Sequence, residues 1–129
     1  MNNINKNYPE IKFVLYAHFH KSLNGWFYIE NYNNIGLANV CLKHGMLHSI
    51  DDKPSLIIKP QNRIWGETTA SVRMYWYENG KQHRLGGPAR IALCGESYAI
   101  HGIGYTEECY WNHPEVAKYK LELLLNLDE

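Results

Sequence analysis

Three stretches of this chain gather histidine, cysteine or arginine closely enough to bind an ion or move a proton. The densest is "WYENGKQHRLGGPARI", residues 76–91, where His83 and Arg84 follow an Asn-Gly turn. An imidazole beside a guanidinium suits a general base with an anion clamp. Each role needs a third group within hydrogen-bond reach, and the local sequence supplies none. The second stretch is "HFH": on a strand, His18 and His20 share a face about 7 Å apart, a geometry that chelates a metal or meets a phosphate. The third is "CLKHGMLH", which spaces Cys41, His44 and His48 in a zinc-like way, while "CYWNH" adds Cys109 and His113. A structural zinc site needs four ligands, and spacing nominates no fourth here. The reading is therefore no metal, no cofactor and no assigned catalytic residue.

Other motifs of catalysis are missing. "GIG" at 102–104 is too short for a phosphate loop and leads to no lysine of the Walker type, and neither a Gly-x-Ser-x-Gly elbow nor a Cys-x-x-Cys pair occurs. Carboxylates such as Glu67, Glu78 and Glu96 remain free to converge in space. The 13 basic and 13 acidic residues cancel, so the basic excess that neutralises phosphates is absent and nucleic acid is not the expected partner. Three widely separated cysteines make no disulfide framework and fit a reducing cytosol. The polar start "MNNINKNYPE" has no apolar signal core, and no apolar run reaches the roughly 18 residues of a membrane span. The expectation is a soluble cytoplasmic protein.

The chain around these residues is mostly strand. "IKFVLYAHFH" alternates with period two, "LNG" at 23–25 reads as a tight turn, and "WFYIE" and "LANVCLK" read as further strands. "SLIIK", "SVRMYWYE", "ARIAL" and "SYAI" follow, separated by turns at His44-Gly45, Asn79-Gly80, Cys94-Gly95 and His101-Gly102. In the long strand Val72, Met74 and Trp76 share one face, and Arg73, Tyr75 and Tyr77 the other. Near the end the period changes. Thr106 caps a short helix over "EECYW", and Pro114 opens a second, with Asn112 or His113 as its cap. Val116, Tyr119, Leu123 and Leu124 recur at helical spacing in that second helix, predicting an amphipathic lid on the sheet.

Two stretches repeat. "HGMLHSIDDKPSLI" aligns with "NGKQHRLGGPARI": in each, a histidine follows the turn glycine by three positions, then come a proline, a small residue and a strand. Internal repetition marks a repeated supersecondary unit. These residues resemble the Trp-Tyr-x-Asn-Gly-Lys-x-His-Arg-x-Asp-Gly-Pro-Ala repeat of phage and giant-virus proteins, variants of MORN-type β-hairpin repeats. "LHSIDDKPSLI" is similar to the longer form of that repeat, and "IHGIGYTEECYWNHPEV" to the end such proteins carry. The resemblance spans about Lys43 to Val116. The family arginine is Ser49 in the first copy and the family aspartate is Gly86 in the second. Arg84 thus lacks a local carboxylate, and an ion pair from Arg84 to Asp51 or Asp52 across the repeat boundary is expected.

The combined expectation is one α+β domain over 1–129, mainly an antiparallel β meander of hairpin repeats with a C-terminal helix. Residues 1–9 are expected to be flexible, 10–42 to form N-terminal strands, 43–105 the repeat hairpins and 106–129 the helical segment. The resemblance implies a viral or phage accessory protein. With ten tyrosines and four tryptophans, it is expected to act without catalysis. It would occupy a host protein or sequester a small anionic signalling molecule through Arg73, Tyr75, Tyr77, Arg84 and Trp65, since Tyr, Trp and Arg dominate recognition surfaces. The alternatives are a small hydrolase or nucleotide-processing enzyme using His18, His20 or His83, and a structural virion component. Edge strands of a meander also favour self-association.

Overall fold

The computed structural model describes residues 4–12, 19–32, 36–60 and 72–126. Ten strands and two helices follow in order: β1 (Gly25–Tyr32), β2 (Gly36–Lys43), β3 (Met46–Leu47), β4 (Leu56–Pro60), β5 (Arg73–Tyr75), β6 (Tyr77–Glu78), β7 (Lys81–Gln82), β8 (Arg90–Ala92), β9 (Gly95–Ile100), β10 (Ile103–Tyr105), α1 (Glu107–Trp111) and α2 (Pro114–Asn126). The main sheet is an antiparallel meander in the order β1-β2-β4-β5-β8-β9-β10; β3 pairs with β2, and β6-β7 is a separate hairpin. The α+β expectation holds. No helix is long and apolar enough to cross a membrane among these residues.

The repeat seen in the sequence is a repeat of backbone hydrogen bonds. The amides of Cys41 and Trp76 donate to the carbonyls of Ser55 and Ala89 (2.8 Å each), and the amides of His48 and His83 donate back to Cys41 and Trp76 (3.0 and 3.1 Å). The amides of Ser49 and Arg84 then bond Tyr77 and Ala99, and those of Ser55 and Ala89 bond Tyr75 and Ser97. Each of these last bonds reaches into the following unit, so consecutive units share backbone partners. The turns match as well: His44-Gly45, Asn79-Gly80 and His101-Gly102 all hold positive φ at both positions (53° and 76°, 50° and 81°, 52° and 82°). That is the I′ turn whose twist suits a hairpin, with glycine second because it adopts positive φ without steric cost.

Three cores lie along the ribbon. Ile29, Ala38, Val40, Leu42, Leu56 and Ile58 form the first, with Tyr75 and Tyr77 packed against it. Trp76, Ala89 and Ala99 form the second, joined by Met74 and Ile91. Ile100, Tyr110 and Val116 form the third, where the helices close the end of the sheet. The two faces assigned to "SVRMYWYE" therefore serve two cores. The strand is also interrupted at Trp76: its amide still donates to Ala89 in the β5–β8 register, but the Ala89 amide turns to Ser97 instead of returning the bond, and the Trp76 carbonyl accepts from His83.

Several sequence expectations change. The strand expected over 11–20 falls largely on 13–18, outside the described residues. Next to it Glu10 makes one parallel bridge to β1 at Tyr28, and residues 11, 12, 19 and 20 lie in no strand. The first turn falls at Lys21-Ser22, closed by the Leu23 amide on the His20 carbonyl, rather than at Asn24-Gly25. Cys94-Gly95 is displaced by one residue, since Leu93-Cys94 turn and Gly95 opens β9. The helices begin where expected. The Thr106 hydroxyl accepts from the Cys109 amide, and His113 Nδ1 accepts from Glu115 ahead of Pro114. α2 does not lie along the sheet as a lid, however: Val116 is its one buried residue, while Leu121, Leu123, Leu124 and Leu125 are 49–62% exposed.

Candidate functional site

A cleft of about 190 Å3 opens where the two matched units meet. Ser49 and Asp52 of the first unit line it together with Trp76, Tyr77, Glu78, His83, Arg84 and Leu85, and Tyr119 comes from α2. The β6-β7 hairpin sets Glu78 and His83 facing one another. The His-to-Pro loop brings Arg84 back over Trp76.

Arg84 is bound on every side. Its Nε and one terminal nitrogen donate to the two oxygens of Asp52 (3.0 and 3.2 Å), the other terminal nitrogen donates to the Pro88 carbonyl (3.0 Å), and the guanidinium lies 3.9 Å above the Trp76 ring. This is the ion pair expected across the repeat boundary, and Asp52 rather than Asp51 makes it. Gly86 allows it: a Cβ there would sit 2.6 Å from the nearer Asp52 oxygen. The carboxylate that the repeat pattern places at 86 thus arrives from the preceding unit. Trp76 Nε1 donates to the Asp52 carbonyl (2.9 Å), so the same residue holds the indole too. Behind the loop Tyr110 donates its hydroxyl proton to the Arg84 carbonyl and accepts from the Gly87 amide (3.1 Å). Burial pushes this phenol up to about 12.

His83 is buried and equally occupied. Its Nδ1 accepts the His101 amide proton (2.9 Å) and its Nε2 lies 3.1 Å from Glu78. An Nδ1 that accepts places the proton on Nε2, which donates to the carboxylate. Burial shifts the His83 pKa below its ordinary value; the Glu78 carboxylate opposes the shift and nearby His101 reinforces it. Protonating Nδ1 would also set it against the His101 amide, donor against donor. The two rings stack with centroids 4.4 Å apart, and His101 Nε2 bonds Glu115 (2.9 Å). That bond holds the Glu115 carboxyl below its usual range.

Glu78, His83 and His101 are the one group among the described residues whose ligand atoms converge closely enough for a metal. The tautomer argues against it. A metal on Nε2 of a neutral imidazole requires the proton on Nδ1, which faces an amide donor. The same bond removes His83 as a general base, since its lone pair is already engaged. The His83 imidazole thus binds the turn that follows, not the catalytic partner a general base would need.

His48 and Asn24 explain this. His48 Nδ1 accepts from the Asn79 amide (3.2 Å), and Asn24 Oδ1 accepts from the His44 amide (2.9 Å). Asn24, His48 and His83 each hold the first residue of the following turn. The amides of the turn glycines Gly45, Gly80 and Gly102 complete the clasp by donating to Leu23, Leu47 and Gln82. Sequence reasoning missed Asn24 because no glycine precedes it at the diagnostic spacing. It missed His101 and Tyr119 because their partners are distant in sequence.

The remaining expected residues separate. Tyr77 and Arg84 reach the cleft, whereas Tyr75 packs on the first core, 6.0 Å from the Arg90 guanidinium. Arg73 lies on β5 on the side of Cys94, an exposed thiol lowered chiefly by its hydrogen bond from Arg90 (3.3 Å). Trp65 and His18 lie outside the described residues. His20 is exposed, and its Nδ1 bonds the Ser22 hydroxyl and amide (2.7 and 3.1 Å). Cys41, His44 and His48 do not gather: the thiol is buried in β2, His44 is an exposed turn residue, and His48 serves the clasp. Comparison with protein-family models, with curated proteins and with solved structures finds no match to this chain.

Proposed function

We propose that this protein works by stoichiometric binding, without catalysis, and that its partner is a protein. The observation that carries this is the engagement of His83 and Arg84: each ring nitrogen and each guanidinium nitrogen of this dense stretch already holds the fold together. A cleft of about 190 Å3 is smaller than the ~300–1,000 Å3 typical of small-molecule sites. It accommodates one side chain of a larger surface. Asp52 and Glu78 outweigh Arg84 in charge, so a lysine or arginine side chain fits better than an anion, against the expectation of an anionic signalling molecule. Tyr77 and Tyr119 supply aromatic walls that favour a cation, while the Trp76 ring already carries Arg84. In the phage or viral setting implied by the repeat, the partner would be a host protein whose function is blocked by occupancy.

The test is affinity capture from host lysate followed by native mass spectrometry, using wild type, Glu78→Gln and Tyr119→Ala. Wild type should retain one protein at one-to-one stoichiometry. Glu78→Gln should weaken retention about tenfold, the scale of one charge-assisted contact, and its melting should stay close to wild type because the new amide oxygen can still accept from His83 Nε2. A captured small molecule released chemically altered, or a protein retained equally by both variants, overturns the reading.

A further inference from the structure

We infer that the outer face of α2 is a homodimer interface, formed by antiparallel pairing of this helix with the same helix of a second copy. This inference is independent of the cleft. Val116 is buried and Tyr119 half-buried toward the body of the protein. Ala117, Leu121, Leu124 and Leu125 recur at i, i+4, i+7 and i+8 on the opposite side and are all exposed. That spacing is the apolar stripe of an amphipathic helix, here turned toward water. A helix apolar on both sides is stable when both sides are covered, and the body of the protein covers only one.

Charge selects the occupant. Lys118 and Glu122 stand one turn apart along one edge of the stripe. A two-fold axis beside Leu121 sets Ala117 against Leu124 and Leu125 of the partner subunit. It also sets each Lys118 beside Glu122 of the partner subunit, so the surface is complementary to itself. A parallel pair would bring Lys118 toward Lys120 of the partner subunit, like against like. In the antiparallel pair like edges meet, so Lys120, on the far edge of the stripe, stays clear of Lys118; its ammonium lies 4.8 Å over the Trp111 ring of its own chain. The stripe offers a few hundred Å2 per copy. The sum lies below the ~1,200 Å2 of a standard stable interface, so the dimer forms with concentration rather than permanently.

Sedimentation equilibrium over a concentration series tests this. Wild type should pass from monomer to dimer, and Leu121→Glu should remain monomeric with unchanged circular dichroism. Lys118→Glu and Glu122→Lys should each weaken the dimer several-fold, since each sets like charges across the axis. Their equimolar mixture should regain it as a heterodimer, because one then carries two acidic and the other two basic positions on that edge. Wild type that stays monomeric throughout, a dimer that survives Leu121→Glu, or a mixture no better than its components overturns the inference; the first outcome leaves the stripe to a different protein.

Discussion

At the scale of single residues, Asp52 and Gly86 behave as one device divided between two units. The carboxylate of Asp52 occupies the space that the missing side chain of Gly86 leaves, and it accepts two bonds from a mostly shielded guanidinium while remaining itself partly exposed. Gly86→Asp should therefore destabilise the fold through a steric and like-charge clash with Asp52. Adding Asp52→Ala to that variant should recover part of the loss, because the pair then closes within one loop. A double-mutant cycle between Arg84 and Asp52 should show coupling of about 1 kcal/mol, the scale of a partly solvated but bidentate pair. Denaturation in urea measures all three effects, and a coupling near zero would reduce the pair to coincidence.

At the scale of the element, the unit is defined by its clasp. Since Asn24 and His48 accept the same kind of turn amide, His48→Asn should be nearly neutral. His48→Ala should cost about 1 kcal/mol, the worth of one neutral hydrogen bond; chemical denaturation compares the two. The His83 clasp adds a dependence on pH. Its folded pKa lies below the ordinary 6.5, so the fold prefers the neutral ring. The contribution is complete above pH 6.5 and is lost as pH falls below it toward the folded value. Glu115, lowered from 4.5 by His101, adds a second loss further into acid. The urea midpoint should thus fall between pH 7.5 and 5, and His83→Asn, which keeps an acceptor without a titrating ring, should flatten that first decline.

At the scale of the whole molecule, the sequence announced the ribbon better than its contents. Asn79-Gly80 and the alternation around it specify a hairpin locally, and Thr106 and Pro114 mark the helix starts by their own chemistry. The exposure of the α2 leucines was hidden, because helical spacing marks apolar faces without saying what covers them. Tyr75 and Tyr77 looked like a wet surface for a related reason: alternation separates two faces but cannot tell that both pack against cores. The cleft was visible only in part. Arg84's need for a carboxylate could be read from the repeat, while the stacking of His83 on His101 depends on register between units. Removing α1 and α2 should uncover Ile100 and Tyr98 and leave the Arg84 carbonyl without the Tyr110 hydroxyl. The truncated chain should melt well below the full one by calorimetry.

The matched bonds around Trp76 and those leading to Tyr98 stand in a common register, Tyr75 answering to Ser97 and Tyr77 to Ala99. An extra copy of residues 77–98, inserted after Tyr98, would consequently meet the same backbone partners at both of its junctions. The protein has a natural quantum of growth: it should tolerate lengthening by this whole segment far better than by any fraction of it.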